Sequence, residues 1–279
     1  YYVTFRSASL QKEPERVALL PSQVGFFPMA SARAESLGEA IALFLYFQKN
    51  VTKRFVIKRV DRYHKRLYQS SFGSCDFQYA IQYTGYEKTI INLFLQASAQ
   101  RMIFVHNDML QEMQTRNNQH RLTLKRAYHD YERVLPVTED IYAPTLELGG
   151  RKENIHVVNN CHDYKSVLEK SNQELRLDST TSCNVSVKEL EEILKSKSRK
   201  IITIGRFSPE KGHDLLLKAF ERYYKGNPDS YLIIIGGHGA LYDQTISQAE
   251  AMPCGDHIVI IRSVSNPMPI LKKCDLFVL

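Results

Sequence analysis

The chain has 279 residues, with 37 lysines and arginines against 30 aspartates and glutamates (net charge +7), 43% hydrophobic and 24% charged residues, and no tryptophan. This profile excludes fibrous and disordered chains, and at roughly 150 residues per domain it predicts about two domains, each with its own core. No apolar run approaches the roughly 18 residues of a membrane-spanning helix; the densest is 40–47.

Both ends read as strands, Tyr1-Tyr2-Val3-Thr4-Phe5 without an initiator Met and Asp275-Leu276-Phe277-Val278-Leu279. A parallel strand needs neighbours and covering helices, so the chain is expected to be an interior piece of a longer polypeptide. Helical spacing of Leu37, Ile41, Phe44 and Leu45 predicts a helix over 36–48 with that face inward. A second helix over 53–69 has Val56, Val60, Tyr63 and Leu67 as its buried stripe. Its other face is basic: 51–70 holds Lys53, Arg54, Lys58, Arg59, Arg62, Lys65 and Arg66 against Asp61 alone. A strand at 77–83, a Thr84-Gly85-Tyr86 turn, a helix at 88–97 and a strand at 101–105 lead into His106-Asn107-Asp108. A helix at 122–132 and a strand at 134–137 follow, with Thr138 placed to cap the next helix, and 155–158 is the last strand of this half.

The segment 164–199 is polar and lysine-rich, with one helical piece at 187–194, and reads as an interdomain connector or insertion. Beyond it the strand 201–205 runs through Arg206-Phe207-Ser208-Pro209-Glu210-Lys211-Gly212 into a helix at 214–224, with Leu215, Leu216, Ala219, Phe220 and Tyr223 inward. A strand at 231–235 ends in Gly236-Gly237-His238-Gly239. Then come a helix at 241–251, a strand at 258–261, a short helix at 267–272 and the final strand. Alternating strands and helices predict parallel sheets, the second being the first half of a Rossmann-like domain.

In open parallel sheets ligands bind beyond the carboxyl ends of the strands. The loop 205–212 joins a strand to a helix start, where backbone amides and the helix dipole favour an anion, and adds Arg206 and Lys211. Two cations over a helix start suit a diphosphate; two solvated loop charges are the competing reading. Walker A and dinucleotide G-x-G-x-x-G patterns are both missing, which speaks against a nicotinamide enzyme. His106 at a strand end can donate, accept or shuttle a proton, and a histidine that only bonds its own loop fits as well. The glycine turn 236–239 either admits a ligand close to backbone or is simply tight.

The five cysteines, Cys75, Cys161, Cys183, Cys254 and Cys274, are scattered without a C-x-x-C pair, and no signal-peptide pattern opens the chain. A reducing cytosol and no metal site are expected. The basic face at 53–69 reads first as a solvated surface, next as a docking surface for anionic lipid, and last as a nucleic-acid surface, because aromatics are not interleaved with its charges.

The run Ile201-Ile202-Thr203-Ile204-Gly205-Arg206-Phe207-Ser208-Pro209-Glu210-Lys211-Gly212-His213-Asp214 resembles the strand, loop and helix start that open the donor domain of retaining family-4 (group 1) glycosyltransferases of the GT-B fold. Ile233-Ile234-Ile235-Gly236-Gly237-His238-Gly239 is similar to their second glycine loop. Asp275-Leu276-Phe277-Val278-Leu279 is similar to the strand before their sugar loop. Val157-Val158-Asn159-Asn160-Cys161-His162-Asp163 resembles their interdomain segment, with Asn160-Cys161-His162 departing from its Gly-Val. Val134-Leu135-Pro136-Val137-Thr138 resembles the last acceptor-domain strand. Tyr83-Thr84-Gly85-Tyr86 and His106-Asn107-Asp108-Met109 resemble the bacterial cell-wall and capsule branch, some members of which are fused to a glycerophosphotransferase.

The resemblance implies an α/β fold of two Rossmann-like domains facing a cleft, both partial here: 1–163 on the acceptor side, the connector 164–199, and 200–279 on the donor side. It implies that Arg206 and Lys211 hold the donor diphosphate and that Gly205, Gly236, Gly237, Arg262 and Ser263 form donor-binding loops, the last two beside the nucleotide base. His106 is implied as the catalytic-side residue, near acceptor and transferred sugar. The family's pair of acidic residues would fall beyond Leu279. The implied activity is retaining transfer of a sugar from a nucleotide-diphosphate donor to a cell-surface polymer or lipid-linked acceptor, without metal, cofactor or nucleic acid, in the cytoplasm or at the inner face of the membrane. A non-catalytic module binding nucleotide or anionic polymer, or an inactive fragment of the enzyme, is the alternative.

Overall fold

The computed structural model describes residues 2–5, 17, 18, 20–73, 75–115, 119–177, 181–237 and 239–279. The chain divides into two compact units, Tyr1–Cys161 and His162–Leu279.

In the first unit β1 (Tyr2–Phe5) and β2 (Gly25–Pro28) form a parallel pair. Two packed helices follow, α1 (Leu37–Lys49) and α2 (Arg54–Phe72). The main sheet is parallel, in the order β3 (Tyr79–Gln82), β4 (Gln100–Val105), β5 (Arg133–Pro136). Its crossovers are α3 (Lys88–Phe94) and the pair α4 (Met109–Thr115) and α5 (Arg121–Asp130), and α6 (Tyr142–Leu148) follows β5. The expected strand at 155–158 is a single bridge, Ile155 to Val134, extended by backbone bonds from His156 to Val134 and from Val158 to Pro136. Thr138 stands at a helix start, but its side chain makes no capping bond.

The face of α1 differs from expectation. Its buried residues are Glu39, Ala42 and Tyr46, while Leu37, Ile41 and Phe44 are exposed. The reason is Glu39, whose carboxylate accepts both terminal nitrogens of Arg66 at 2.9 and 2.5 Å and the Glu35 amide at 2.8 Å. A carboxylate with those partners can be buried, and the arginine holds its pKa below the usual carboxylate range. On α2 the inward stripe is Val56, Val60, His64 and Leu67. Tyr63 sits at the edge of that stripe, half-buried, and its hydroxyl donates to the Ala32 carbonyl at 2.9 Å. A buried polar knot ties α1, α3 and α5 together: Thr123 Oγ1 meets Asn92 Nδ2 at 3.0 Å and His120 Nδ1 at 2.7 Å, and His120 Nε2 reaches the Tyr46 carbonyl at 2.9 Å.

The second unit holds a five-stranded sheet in the order β10-β7-β8-β9-β6: β6 (Ser182–Cys183), β7 (Arg199–Ile204), β8 (Ser230–Gly236), β9 (Ile258–Arg262) and β10 (Leu276–Phe277). All pairings are parallel except β6 with β9. The strands are apolar on both faces, as a doubly covered parallel sheet requires. Ile201, Leu232, Ile234, Ile258 and Ile260 point to α9 (His213–Tyr224) and α10 (Tyr242–Glu250). Ile202, Ile233, Ile235, Val259 and Ile261 point to α8 (Val187–Lys195) and α11 (Met268–Leu271). The segment read as connector, 164–199, is thus part of this unit. It supplies α7 (Tyr164–Ser171), the antiparallel edge β6, and α8, whose Leu190, Ile193 and Leu194 cover one face of the sheet. The inward residues of α9 are His213, Leu217 and Phe220, with Leu215 and Ala219 turned out and Leu216 and Tyr223 partly buried.

His64 carries the clearest pH signature of the fold. Its Nδ1 donates to the Val60 carbonyl at 2.8 Å, and burial lowers its pKa from 6.5 to about 4. Above pH 6.5 the ring is neutral in both folded and unfolded states. As pH falls from about 6.5 towards about 4 the unfolded chain binds a proton that the folded chain refuses, so stability drops across that window. Urea unfolding at pH 7 and pH 4.5 should show the His64→Gln variant losing about 2 kcal/mol less than the parent over this interval. Identical losses would show that the ring does not stay neutral.

Candidate functional site

The carboxyl ends of β7 and β8 converge on one side chain, Phe207, which is fully buried. The Gly205 amide extends the β7–β8 ladder by donating to the Ile235 carbonyl at 2.8 Å. Gly236 then lies against the Gly205 carbonyl and the Phe207 ring, where a Cβ would stand 2.6 Å from Phe207 Cε2. Gly239 has a φ of +146° and presses on the Phe207 backbone, and the Leu241 amide donates to the Phe207 carbonyl at 3.0 Å. The chain needs glycine at both places because the two loops touch through backbone. His238 of this turn lies outside the described residues.

From this base the charged groups project outward. The stem of Lys211 folds over Gly205, its Cδ 3.2 Å from where a Cβ would be, and the residue is exposed. Arg206 is also exposed and pairs with Glu210 at 3.1 Å. Such an exposed i,i+4 pair is worth only about 0.3–0.5 kcal/mol, so it does not hold Arg206 back from a stronger anion. Gly212, with φ +59°, turns the chain into α9, whose start has no side-chain cap. The arrangement has the chemistry an anion would need: backbone at a helix N-terminus with two exposed cations beside it.

On the β9 side the Arg262 guanidinium lies 4.6 Å over the Tyr242 ring, which meets Phe207 edge-on at 5.0 Å. Ser263 takes a φ of +61°; its amide donates to the Gly236 carbonyl at 3.2 Å and its hydroxyl to the Gly237 carbonyl at 3.1 Å. Gly205, Arg206, Lys211, Gly236, Gly237, Arg262 and Ser263 thus form one cluster. The sequence reading missed two parts of it. Phe207 is the hub, hidden as an ordinary loop residue. His213 is the first residue of α9, buried beside Phe207 at 5.2 Å, with neither ring nitrogen bonded among the described residues. Burial and then the nearby Lys211 lower its pKa, so it sits under the loop as a neutral ring.

His106 belongs to the first unit. Its Nε2 donates to the Tyr83 carbonyl at 2.7 Å, its ring stacks on Phe104 at 6.0 Å, and Tyr83 meets it edge-on at 4.9 Å. Nδ1 is the atom that remains for a proton or a ligand. Asp108 accepts from the Leu110 and Gln111 amides at 2.9 and 3.0 Å and caps α4, which is a structural duty. Nearby, Tyr83 and Thr84 border a cavity of about 840 Å³. Residues 76–84 line it consecutively, together with Tyr2, Val3 and Thr4 of β1 and with Phe27, Phe72 and Phe94, so its wall is largely aromatic and apolar. Among the described residues no three His, Cys, Asp or Glu side chains group to hold a metal, no helix is long and apolar enough to cross a membrane, and the five cysteines are free.

Residues 187–279 match the family described as glycosyl transferases group 1. A curated relative from Campylobacter jejuni, N-acetylgalactosamine-N,N'-diacetylbacillosaminyl-diphospho-undecaprenol 4-alpha-N-acetylgalactosaminyltransferase, is 29% identical over 94 residues, covering 34% of this chain and 24% of the relative. The solved structure of Anabaena Alr3699/HepE in complex with UDP and glucose superimposes with a TM-score of 0.60 at 13% identity, covering 99% of this chain and 65% of that one. An alpha,alpha-trehalose-phosphate synthase (UDP-forming) from Burkholderia vietnamiensis gives 0.56 at 12%, covering 92% and 65%. The fold is accordingly that of GT-B glycosyltransferases, built on Rossmann-like sheets. The chain spans about a quarter of the curated relative and about two thirds of these solved structures.

The two glycines of the second loop make opposite predictions. Gly236→Ala places a methyl group into Phe207 and the Gly205 backbone and should lower stability by about 1–3 kcal/mol. Gly237→Ala meets nothing within 4 Å and should stay within about 0.5 kcal/mol of the parent. Chemical denaturation of both variants side by side checks this, and equal midpoints would contradict the packing described.

Proposed function

We propose that the protein acts as a glycosyltransferase, taking a sugar from a nucleotide-diphosphate donor and passing it, with retention of anomeric configuration, to a cell-surface polymer or lipid-linked acceptor. The observation that carries this reading is the anion site at 205–212, with Arg206 and Lys211 exposed over a helix start, inside a glycosyl transferases group 1 domain. The names of the relatives support the details: UDP in the Anabaena complex, and a diphospho-undecaprenol acceptor in the Campylobacter enzyme.

In this mechanism the donor diphosphate lies on the first turn of α9 between Arg206 and Lys211. Bond cleavage at the sugar leaves the diphosphate with extra negative charge, and the two cations stabilise it where it develops. That charge compensation is the task a divalent metal performs in other transferases, so the reading needs no metal. Arg262 and Ser263 border the nucleotide base. His106, through Nδ1, attends the acceptor and the transferred sugar. The work takes place in the cytoplasm, at the inner face of an anionic bacterial membrane that attracts the cations of 53–69 and where cell-wall or capsule polymer is built.

Arg206→Ala and Lys211→Ala should each weaken UDP binding by at least about tenfold, the loss expected for one charge-assisted contact to phosphate. Isothermal titration of the parent and both variants measures it. Unchanged affinity in both would remove the anion site from the proposal. Chelation with EDTA should leave UDP affinity and sugar transfer unaltered, and a loss restored by a divalent ion would overturn the metal-independent reading.

A further inference from the structure

Leu37, Ile41 and Phe44, expected inward, stand exposed at 78, 48 and 53%, on the side of α1 opposite its buried Glu39, Ala42 and Tyr46. Spaced i, i+4 and i+7, they make one apolar stripe over two helical turns. α2 packs beside α1 through Ala42, Tyr46, Val56 and Val60. Arg59 Nε lies 3.7 Å from the position of a Cβ on Gly38, so the outer sides of the two helices adjoin. On α2 the outer side carries Phe55, 52% exposed, with Lys58, Arg59, Arg62 and Lys65, all four of them exposed.

Among the described residues no ion pair engages Lys58, Arg59 or Lys65, and Arg62 is near enough to Glu39 to help lower its pKa after Arg66. The acidic residues of 35–72 are engaged elsewhere: Glu35 and Glu39 hold Arg66 at 2.9 and 2.5 Å, and Asp61 holds Arg126 at 3.0 Å. Two cations lie over exposed rings, Lys49 over Phe44 and Arg59 over Phe55, each 5.9 Å from the centroid. That is the posture of a side chain whose stem lies along apolar surface while its head stays at the polar level.

We propose that α1 and α2 together form an insertion surface for an anionic phospholipid leaflet, Leu37, Ile41, Phe44 and Phe55 entering the acyl boundary and the α2 cations resting on headgroup phosphates. This rests on the membrane reading of 53–69 above and adds to it the half that enters hydrocarbon. A nucleic acid offers phosphates but no place for Leu37 and Ile41, and an acidic protein groove offers carboxylates with less room for an apolar stripe. A bilayer surface supplies both chemistries side by side. Each exposed cation there is worth roughly fivefold in partition, which falls with salt.

The chain has no tryptophan, so Phe44→Trp is a clean probe and Val187→Trp on α8 a control in the other unit. With vesicles of phosphatidylcholine plus phosphatidylglycerol at low salt, the indole emission of the Phe44→Trp variant should shift to the blue and be quenched by acyl-brominated lipid, while the control should do neither. A Leu37→Glu/Phe44→Glu variant should partition at least about tenfold more weakly, and so should Lys58→Glu/Arg62→Glu, the latter with a flatter salt dependence. Binding without blue shift or quenching would overturn insertion yet keep the electrostatic reading. No binding of the parent protein would overturn both. Equal binding to pure phosphatidylcholine would overturn the anionic assignment, and a dimer abolished by Phe44→Glu, without vesicle binding, would assign the face to a second copy. UDP titration is unaffected by all of these outcomes and tests the transferase reading separately.

Discussion

The candidate site depends on the burial of Phe207. A phenylalanine in a loop after a strand has no reason to be inside unless neighbouring loops close over it, and here the loops after β7 and β8 do so. Their contact runs through backbone at Gly236 and Gly239, which admits glycine there and little else. The consequence is a packed base beneath exposed cationic heads. The amides, the helix start and the turn at Ser263 are fixed by packing and by hydrogen bonds of 2.8 to 3.2 Å, while the Arg206 and Lys211 head groups remain in water. On the proposed reading, an anion would bind here without ordering of the backbone, which is where binding would otherwise lose affinity.

The strands and the strand-to-helix loop at 205–212 were legible in the sequence because each is written in a local pattern. Runs such as Ile233-Ile234-Ile235 fit a sheet covered on both faces, and a glycine at each end of 205–212 marks the turn from strand into helix. The helix faces were less legible, for one recurring physical reason. In α1, α2 and α9 an inward position is held by a polar residue, Glu39, His64 or His213. Apolar periodicity cannot register such a residue, so it rotates the inferred stripe: Leu37 and Ile41 on α1, and Leu215 on α9, fit an inward stripe by spacing and point outward. Each polar residue is tolerated for its own reason. Glu39 is clasped by Arg66, His64 bonds a carbonyl one turn back, and His213 is kept neutral by burial. The role of 164–199 was hidden because a two-residue antiparallel edge such as β6 carries almost no sequence signal.

The cations of the chain sort into two kinds by what faces them. Arg66, Arg101 and Arg126 are each mostly covered and are forked onto carboxylates, Glu39, Glu132 and Asp61, at 2.5 to 3.2 Å. Removing Arg66 would strand the buried Glu39 carboxylate, a loss of about 3 kcal/mol, while Glu132 and Asp61 keep contact with water and would lose less. Arg206, Lys211 and the outer cations of α2 are not covered in this way, and the partner of Arg206 is a weak i,i+4 neighbour. Their present contacts can be exchanged at a cost of about 0.5 kcal/mol or less. A diphosphate or a sheet of lipid phosphates offers more than that to each of them. The same residue type is therefore structural where a carboxylate is buried against it and available for ligands where none is. By that criterion the available cations of the described residues include those of the loop at the start of α9 and of the outer face of α2, and the proposed nucleotide and membrane contacts follow from the same electrostatic rule.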